Sequence, residues 1–167
     1  VAPLLENAKI GNIQWGQDAP YYDQCPMKSG RHCYTGCMAT AMSQVLAYHQ
    51  YPVSYDWTEI LPTYKGGLGT SAQRSEVARL NHDVGLSLNM EYGTDQSGSV
   101  STQYSKALCD KFGYHENVAL INRDNFTYGE WMDILLNEFM EGRPVIYDGV
   151  SNDGGHAFVI DGYRAKD

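Results

Sequence analysis

No stretch of this chain approaches the roughly 18 consecutive apolar residues of a membrane-crossing helix, so a membrane span is not expected. Basic charge is scarce. The 12 Lys and Arg stand against 20 Asp and Glu, a net charge of −8, which argues against nucleic acid as a partner because that interaction needs a basic footprint. Charged residues of either sign make up only 19% of the chain, while tyrosines number 13; such a surface suits an extracellular protein that meets peptides. None of the four cysteines forms a CxxC pair. Cys25, Cys33 and Cys37, even with His32 nearby, lack the spacing of a zinc site, so no metal or other cofactor is expected. Internal repeats, low-complexity tracts, linkers and a secretory leader are likewise missing. The 167 residues, 43% of them hydrophobic, fit one domain over residues 1–167 with a sizeable core.

What is present centres on Cys37. In the run Thr35-Gly36-Cys37-Met38-Ala39-Thr40-Ala41-Met42-Ser43-Gln44-Val45-Leu46, the residues Met38, Ala41, Met42, Val45 and Leu46 recur at helical spacing. Thr35 and Gly36 precede them, so the helix begins at or beside Cys37. A thiol there faces backbone N–H groups without partners and the positive end of the helix dipole, a setting that favours the reactive thiolate. The same pattern also fits a small, inert cysteine packed among alanines.

Two further residues shift the balance. Gly154-Gly155-His156-Ala157-Phe158-Val159-Ile160-Asp161-Gly162 reads as a strand with His156 as its first residue. A histidine at a strand end beside glycines suits a general base; taken alone, it equally suits a satisfied core histidine. A cysteine opening a helix and a distant histidine opening a strand is the arrangement of papain-like thiol peptidases. Upstream, Gln17 lies in the non-helical segment Ile13-Gln14-Trp15-Gly16-Gln17-Asp18-Ala19-Pro20-Tyr21. A side-chain amide, together with the nucleophile's own N–H, can stabilise an oxyanion. The order Gln, Cys, His is what gives Gln17 weight over an ordinary loop glutamine.

The chain resembles the streptopain family of secreted bacterial papain-like cysteine peptidases. The words carrying the resemblance run in family order: Gln17-Asp18-Ala19-Pro20-Tyr21, Thr35-Gly36-Cys37-Met38-Ala39-Thr40-Ala41, Leu61-Pro62-Thr63-Tyr64, Phe112-Gly113-Tyr114, Ile121-Asn122-Arg123 and the glycine-histidine strand. The resemblance implies Cys37 as nucleophile, His156 as general base and acid, and Gln17 as oxyanion donor. It also implies substrate-facing backbone at Gly155 and in the loop Ser97-Gly98-Ser99, with Ser99 as the contact. It further implies a secreted, extracellular endopeptidase and virulence factor that acts on proteins and peptides. Such an enzyme is made as a zymogen with a propeptide and favours an apolar residue at the second position before the cut. Val1-Ala2-Pro3-Leu4-Leu5 resembles the family's mature N-terminus. In such a secreted protein a Cys25–Cys33 disulfide is expected, leaving Cys37 free and Cys109 buried or unpaired.

The family's Asn-Trp-Gly-Trp-Gly motif, which orients the imidazole and completes the sheet, has no counterpart here. Asp161, five residues beyond His156, faces the opposite side of a regular strand, and Asn152 or Asp153 would have to double back. The chain is therefore expected to be an incomplete catalytic domain, its remainder supplied by another segment or a second chain. Rival readings are one chain of a two-chain peptidase inactive alone, and another Cys–His acyl-transfer enzyme of transglutaminase or amidase type. A pure binding module would not need this triple.

The scaffold is expected to be α+β, a papain-like fold with helices segregated from an antiparallel sheet. Helices are expected from Cys37 to His49 or Gln50, stopping before Tyr51-Pro52; from about Gln73 to Asp83; and from about Thr102 to Phe112, ending at Gly113. A fourth should open with the capping box of Thr127 and Glu130 and bury Trp131, Ile134, Leu135 and Phe139. Residues 54–70 read as loop or a short turn, and 93–101 as a mobile loop. Strands over 145–150 and 156–163 should pair as a hairpin.

Overall fold

The protein was analysed as a computed structural model that describes residues 6–7 and 11–164; the segment 1–5, read as a mature N-terminus, lies outside the described residues. Short two-residue ribbons open the chain. β1 (Glu6–Asn7) pairs with β2 (Gly11–Asn12), and β3 (Met27–Lys28) with β4 (Arg31–His32), both antiparallel. The helices α1 (Cys37–His49), α2 (Ser71–Ser87), α3 (Gln103–Phe112) and α4 (Tyr128–Met140) follow, and the hairpin β5 (Val145–Ser151) with β6 (Gly154–Ile160) comes last. Single turns at Trp57–Glu59 and Lys65–Gly67 interrupt the 54–70 segment.

The helix α1 is the axis of the core. Nine of its residues from Met38 to Ala47 are buried, because its sequence offers apolar or small side chains on every face. Met42 and Leu46 are fully enclosed, each stabilising the fold by about 1.5–3 kcal/mol. Ala39 and Ala47 are buried and lack bulk, and both α2 and the β5–β6 hairpin pack against this helix. The helix ends as expected before Pro52. Gln50 turns left-handed (φ 50°), and the N–H of Tyr51 reaches back to the Leu46 carbonyl at 3.2 Å.

Helix α2 runs longer than its sequence pattern suggested. Its start is a capping box, with Thr70 accepting from the Gln73 N–H at 3.2 Å and Gln73 accepting from the Thr70 N–H at 2.9 Å. Gln73 thus lies inside the first turn rather than at its edge. At the other end the helix passes through Gly85, which proximity rather than flexibility explains: a Cβ there would sit 2.1 Å from the Tyr92 hydroxyl oxygen. Gly→Ala within a helix ordinarily gains about 0.5–1 kcal/mol, whereas overpacking costs about 1–3 kcal/mol. The Gly85→Ala variant is therefore expected to melt several degrees lower, by roughly 2–4 °C per kcal/mol at this size, and Tyr92→Phe in the same chain should restore part of the loss. A melting temperature at or above the parent's would contradict this packing account.

Helix α3 sets Tyr104, Ala107, Leu108 and Phe112 on one buried stripe and ends at left-handed Gly113 (φ 69°). Helix α4 carries the expected Thr127–Glu130 capping box, but its buried face is narrower than its sequence promised. Trp131 and Phe139 are enclosed, while Ile134 and Leu135 are half-buried. It meets the hairpin through Trp131 and Tyr147, whose ring centres lie 6.0 Å apart.

The hairpin itself is displaced from the expected bounds. β6 begins at Gly154, so His156 is its third residue and not its first, and the strand ends at Ile160 instead of 163. The glycines that read as turn are already in the ladder, with Gly154 opposite Ser151 and Gly155 opposite Val150, leaving a two-residue turn at Asn152-Asp153.

Candidate active site

Gly36 determines where the first helix can start. Its backbone is at φ 88°, a region where side chains are strained, and a Cβ would lie 2.7 Å from both Sδ and Cε of Met90 and 3.1 Å from the Ser97 carbonyl. The chain therefore swings into α1 at Cys37, which is half-buried against the core. No side chain caps this terminus, and no acidic residue lies in its first turn. The N–H groups there remain available to an anion.

A hydroxyl relay holds the glutamine segment alongside. The Thr35 N–H donates to the Gln17 carbonyl at 3.3 Å, and the Thr40 hydroxyl donates to the Gly16 carbonyl at 3.4 Å. With its proton so used, Thr40 accepts from the Thr35 hydroxyl at 2.9 Å. Thr35 is fully buried. The backbone of Gln17 is thus anchored two residues from Cys37, and its side chain is half-buried. A cleft of about 790 Å³ beside this segment is lined by Trp15, Gly16, Asp18, Gln44, Lys65 and Arg74 among others, and by neither Cys37 nor His156.

His156 stands on the strand that packs against α1. Side chains alternate along it. Ala157 enters the core at 5% exposure, whereas His156 is exposed and shares its face with Phe158, ring centres 6.1 Å apart. Among the described residues no hydrogen bond joins His156 to Cys37. Gly155 is exposed, with the nearest atoms to a built Cβ at 3.9 Å, so its backbone is open to a ligand. The Ser99 hydroxyl donates to the Leu88 carbonyl. The 93–101 loop is tied down: Glu91 and Gly98 exchange two backbone bonds, and the Ser97 hydroxyl donates to the Tyr34 carbonyl at 2.7 Å.

The expected Cys25–Cys33 disulfide is not formed. Both are free, buried thiols. The reason is register: the Cys33 N–H donates to the Pro26 carbonyl at 2.9 Å, so Pro26, and not Cys25, lies across from Cys33. Burial pushes the Cys25 thiol up to about 11, keeping it protonated and unreactive. Cys109 is also free and is half-exposed.

Three residues that meet at the hairpin, Ser101, Tyr104 and Asp148, had no signal in the sequence. Tyr104 is buried, and its hydroxyl has no hydrogen-bond partner. Burial, and then the negative charges of Asp148 and Cys37, hold this phenol well above the usual tyrosine range, so it stays neutral. Asp148 accepts a hydrogen bond from the Ser101 hydroxyl. Hairpin alternation alone would have placed Asp148 opposite Ala157; nothing local would have brought α3 to it. Among the described residues no group of three His, Cys, Asp or Glu is placed to hold a metal, and no helix is long and apolar enough to cross a membrane.

The peptidase C10 family model matches residues 15–54 and 53–167. The chain belongs to the peptidase C10 family. This C10 chain is 35% identical to streptopain of Streptococcus pyogenes over 80% of its own length and 41% of streptopain's. It is 32% identical to the thiol protease/hemagglutinin PrtT of Porphyromonas gingivalis over 98% of its length and 22% of that protein's. The C10 chain thus spans about two-fifths or less of these curated relatives. Active interpain A cysteine protease of Prevotella intermedia superposes with a TM-score of 0.87 at 33% identity, covering 98% of this chain and 77% of that one. A fragment of prointerpain A gives 0.86 at 34% identity, covering 98% and 58%. The C10 chain therefore has the α+β, papain-like fold of interpain A.

Proposed function

We propose that this chain is the catalytic part of a secreted cysteine endopeptidase. The observation that carries the reading is Cys37 opening an uncapped helix, with Gln17 anchored beside it and the strand of His156 packed on the same helix. In this mechanism His156 takes the proton of Cys37, and the thiolate attacks a peptide carbonyl. The Gln17 amide and the Cys37 N–H stabilise the oxyanion. Protonated His156 gives its proton to the departing amine, and water then hydrolyses the thioester, freeing the carboxylate and restoring the thiol. Gly155 and the Ser99 main chain hold the substrate backbone. A further segment, from the same polypeptide or a second chain, covers the exposed face of His156 and orients its ring. The prointerpain relative supports synthesis with a propeptide that is removed on maturation.

The test is product identity. Incubated with an unfolded protein such as casein, the chain is expected to yield internal peptides, each cut adding the elements of one water across its two new ends, and iodoacetamide should stop their release. Mass spectra showing cross-linked or deamidated glutamines, with peptide bonds intact, would instead establish a transglutaminase or amidase.

A further inference from the structure

Asp148 has no part in the mechanism above, yet it stands on the hairpin that packs against the nucleophile's helix. It stands on β5 opposite Ala157, the neighbour of His156, and on the hairpin face turned to α1. Ala157 is buried there, and Ile146, two residues before Asp148, packs partly buried against the same core. From α3 and the turn before it, Ser101 donates a hydrogen bond to the Asp148 carboxylate, and the unpartnered hydroxyl of Tyr104, a residue only 6% exposed, lies close enough to Asp148 and Cys37 to feel both charges. Asp148 is exposed, and among the described residues no Lys or Arg pairs with it. A substrate laid across Cys37 would therefore remove water from an uncompensated carboxylate and leave a buried phenol in need of an acceptor.

We propose that Asp148, with the hydroxyls of Ser101 and Tyr104, forms an acidic wall of the substrate cleft and selects peptides carrying lysine or arginine beside the scissile bond. The inference rests on the peptidase reading of Cys37. A cationic side chain replaces lost water with charge-assisted hydrogen bonds, whereas an apolar one leaves the carboxylate desolvated and unpaired. Selectivity is the difference between those two outcomes.

The experiment compares peptidyl epoxides identical except for Lys, Arg or Leu at each position next to the reactive group. The readout is the rate of covalent labelling of Cys37, which requires no turnover, with kcat/KM on matching peptides measured beside it. At one position the parent is expected to favour Lys or Arg over Leu by at least about tenfold. Asp148→Asn, nearly isosteric, should bring the ratio toward one, and Asp148→Lys should invert it in favour of Leu. Equal Lys/Leu ratios in parent and variants, with Cys37 still labelled, would overturn the acidic wall and leave the nucleophile standing. Absence of both labelling and cleavage in the parent, assayed together with the segment that covers His156, would overturn the peptidase reading itself and this inference with it. Circular dichroism of each variant guards against misfolding, and Asp148→Gln serves as the alternative if Asp148→Asn does not fold.

Discussion

Cys37→Ala is expected to reduce peptide-bond cleavage by about a millionfold, the scale seen when a covalent nucleophile is removed, and to abolish labelling by iodoacetamide at that position. The fold should survive. Cys37 is only half-buried, and alanine is smaller and the best helix former, so the melting temperature should stay within about 2 °C of the parent's, a shift of roughly 0.5 kcal/mol. Stability and activity therefore separate cleanly in this variant. Turnover retained at even a hundredth of the parent rate would move the nucleophile elsewhere, with half-exposed Cys109 the next thiol to test, since Cys25 and Cys33 are enclosed.

His156→Ala carries the second large effect. Loss of a positioned general base costs about 10²–10⁴-fold in rate, and kcat/KM should fall within that range. The exposure of His156 adds a readout that a structural role would not move. Truncation leaves a gap open to solvent, so added imidazole should restore part of the rate in His156→Ala and none in Cys37→Ala. Because the side chain is exposed and, among the described residues, makes no hydrogen bond, the substitution should cost little stability. An unchanged kcat/KM would remove His156 from the mechanism and, with it, the reason to link the hairpin to Cys37.

Local chemistry made much of the scaffold legible. Helix α1 begins and ends where Gly36 and the Tyr51-Pro52 pair require it, and Thr127 with Glu130 announces α4 through two hydrogen bonds that span three residues. Where the reading slipped, two signals competed. Gly154 and Gly155 look like a turn, yet they extend the ladder because β5 supplies partners up to Ser151; this moved His156 inward by two positions. Gln73 looks like a helix start but closes a capping box around Thr70, one turn earlier. The disulfide failed for a reason no spacing reveals, since only the pairing of β3 with β4 decides which residue lies across from Cys33.

The order of glutamine, cysteine and histidine, and the helix that begins at the thiol, follow from the amino-acid sequence alone, because residue type and short-range periodicity set them. The tertiary structure alone decided the surroundings of that thiol: the Thr35–Thr40 relay that anchors Gly16 and Gln17, and the approach of Ser101, Tyr104 and Asp148 from separate elements. Ser101 and Asp148 are 47 residues apart in the chain. Contacts over such separations arise when α3, packed on α2, and the hairpin, packed on α1, bury apolar faces in one core, and the polar groups at the rim are carried together by that packing.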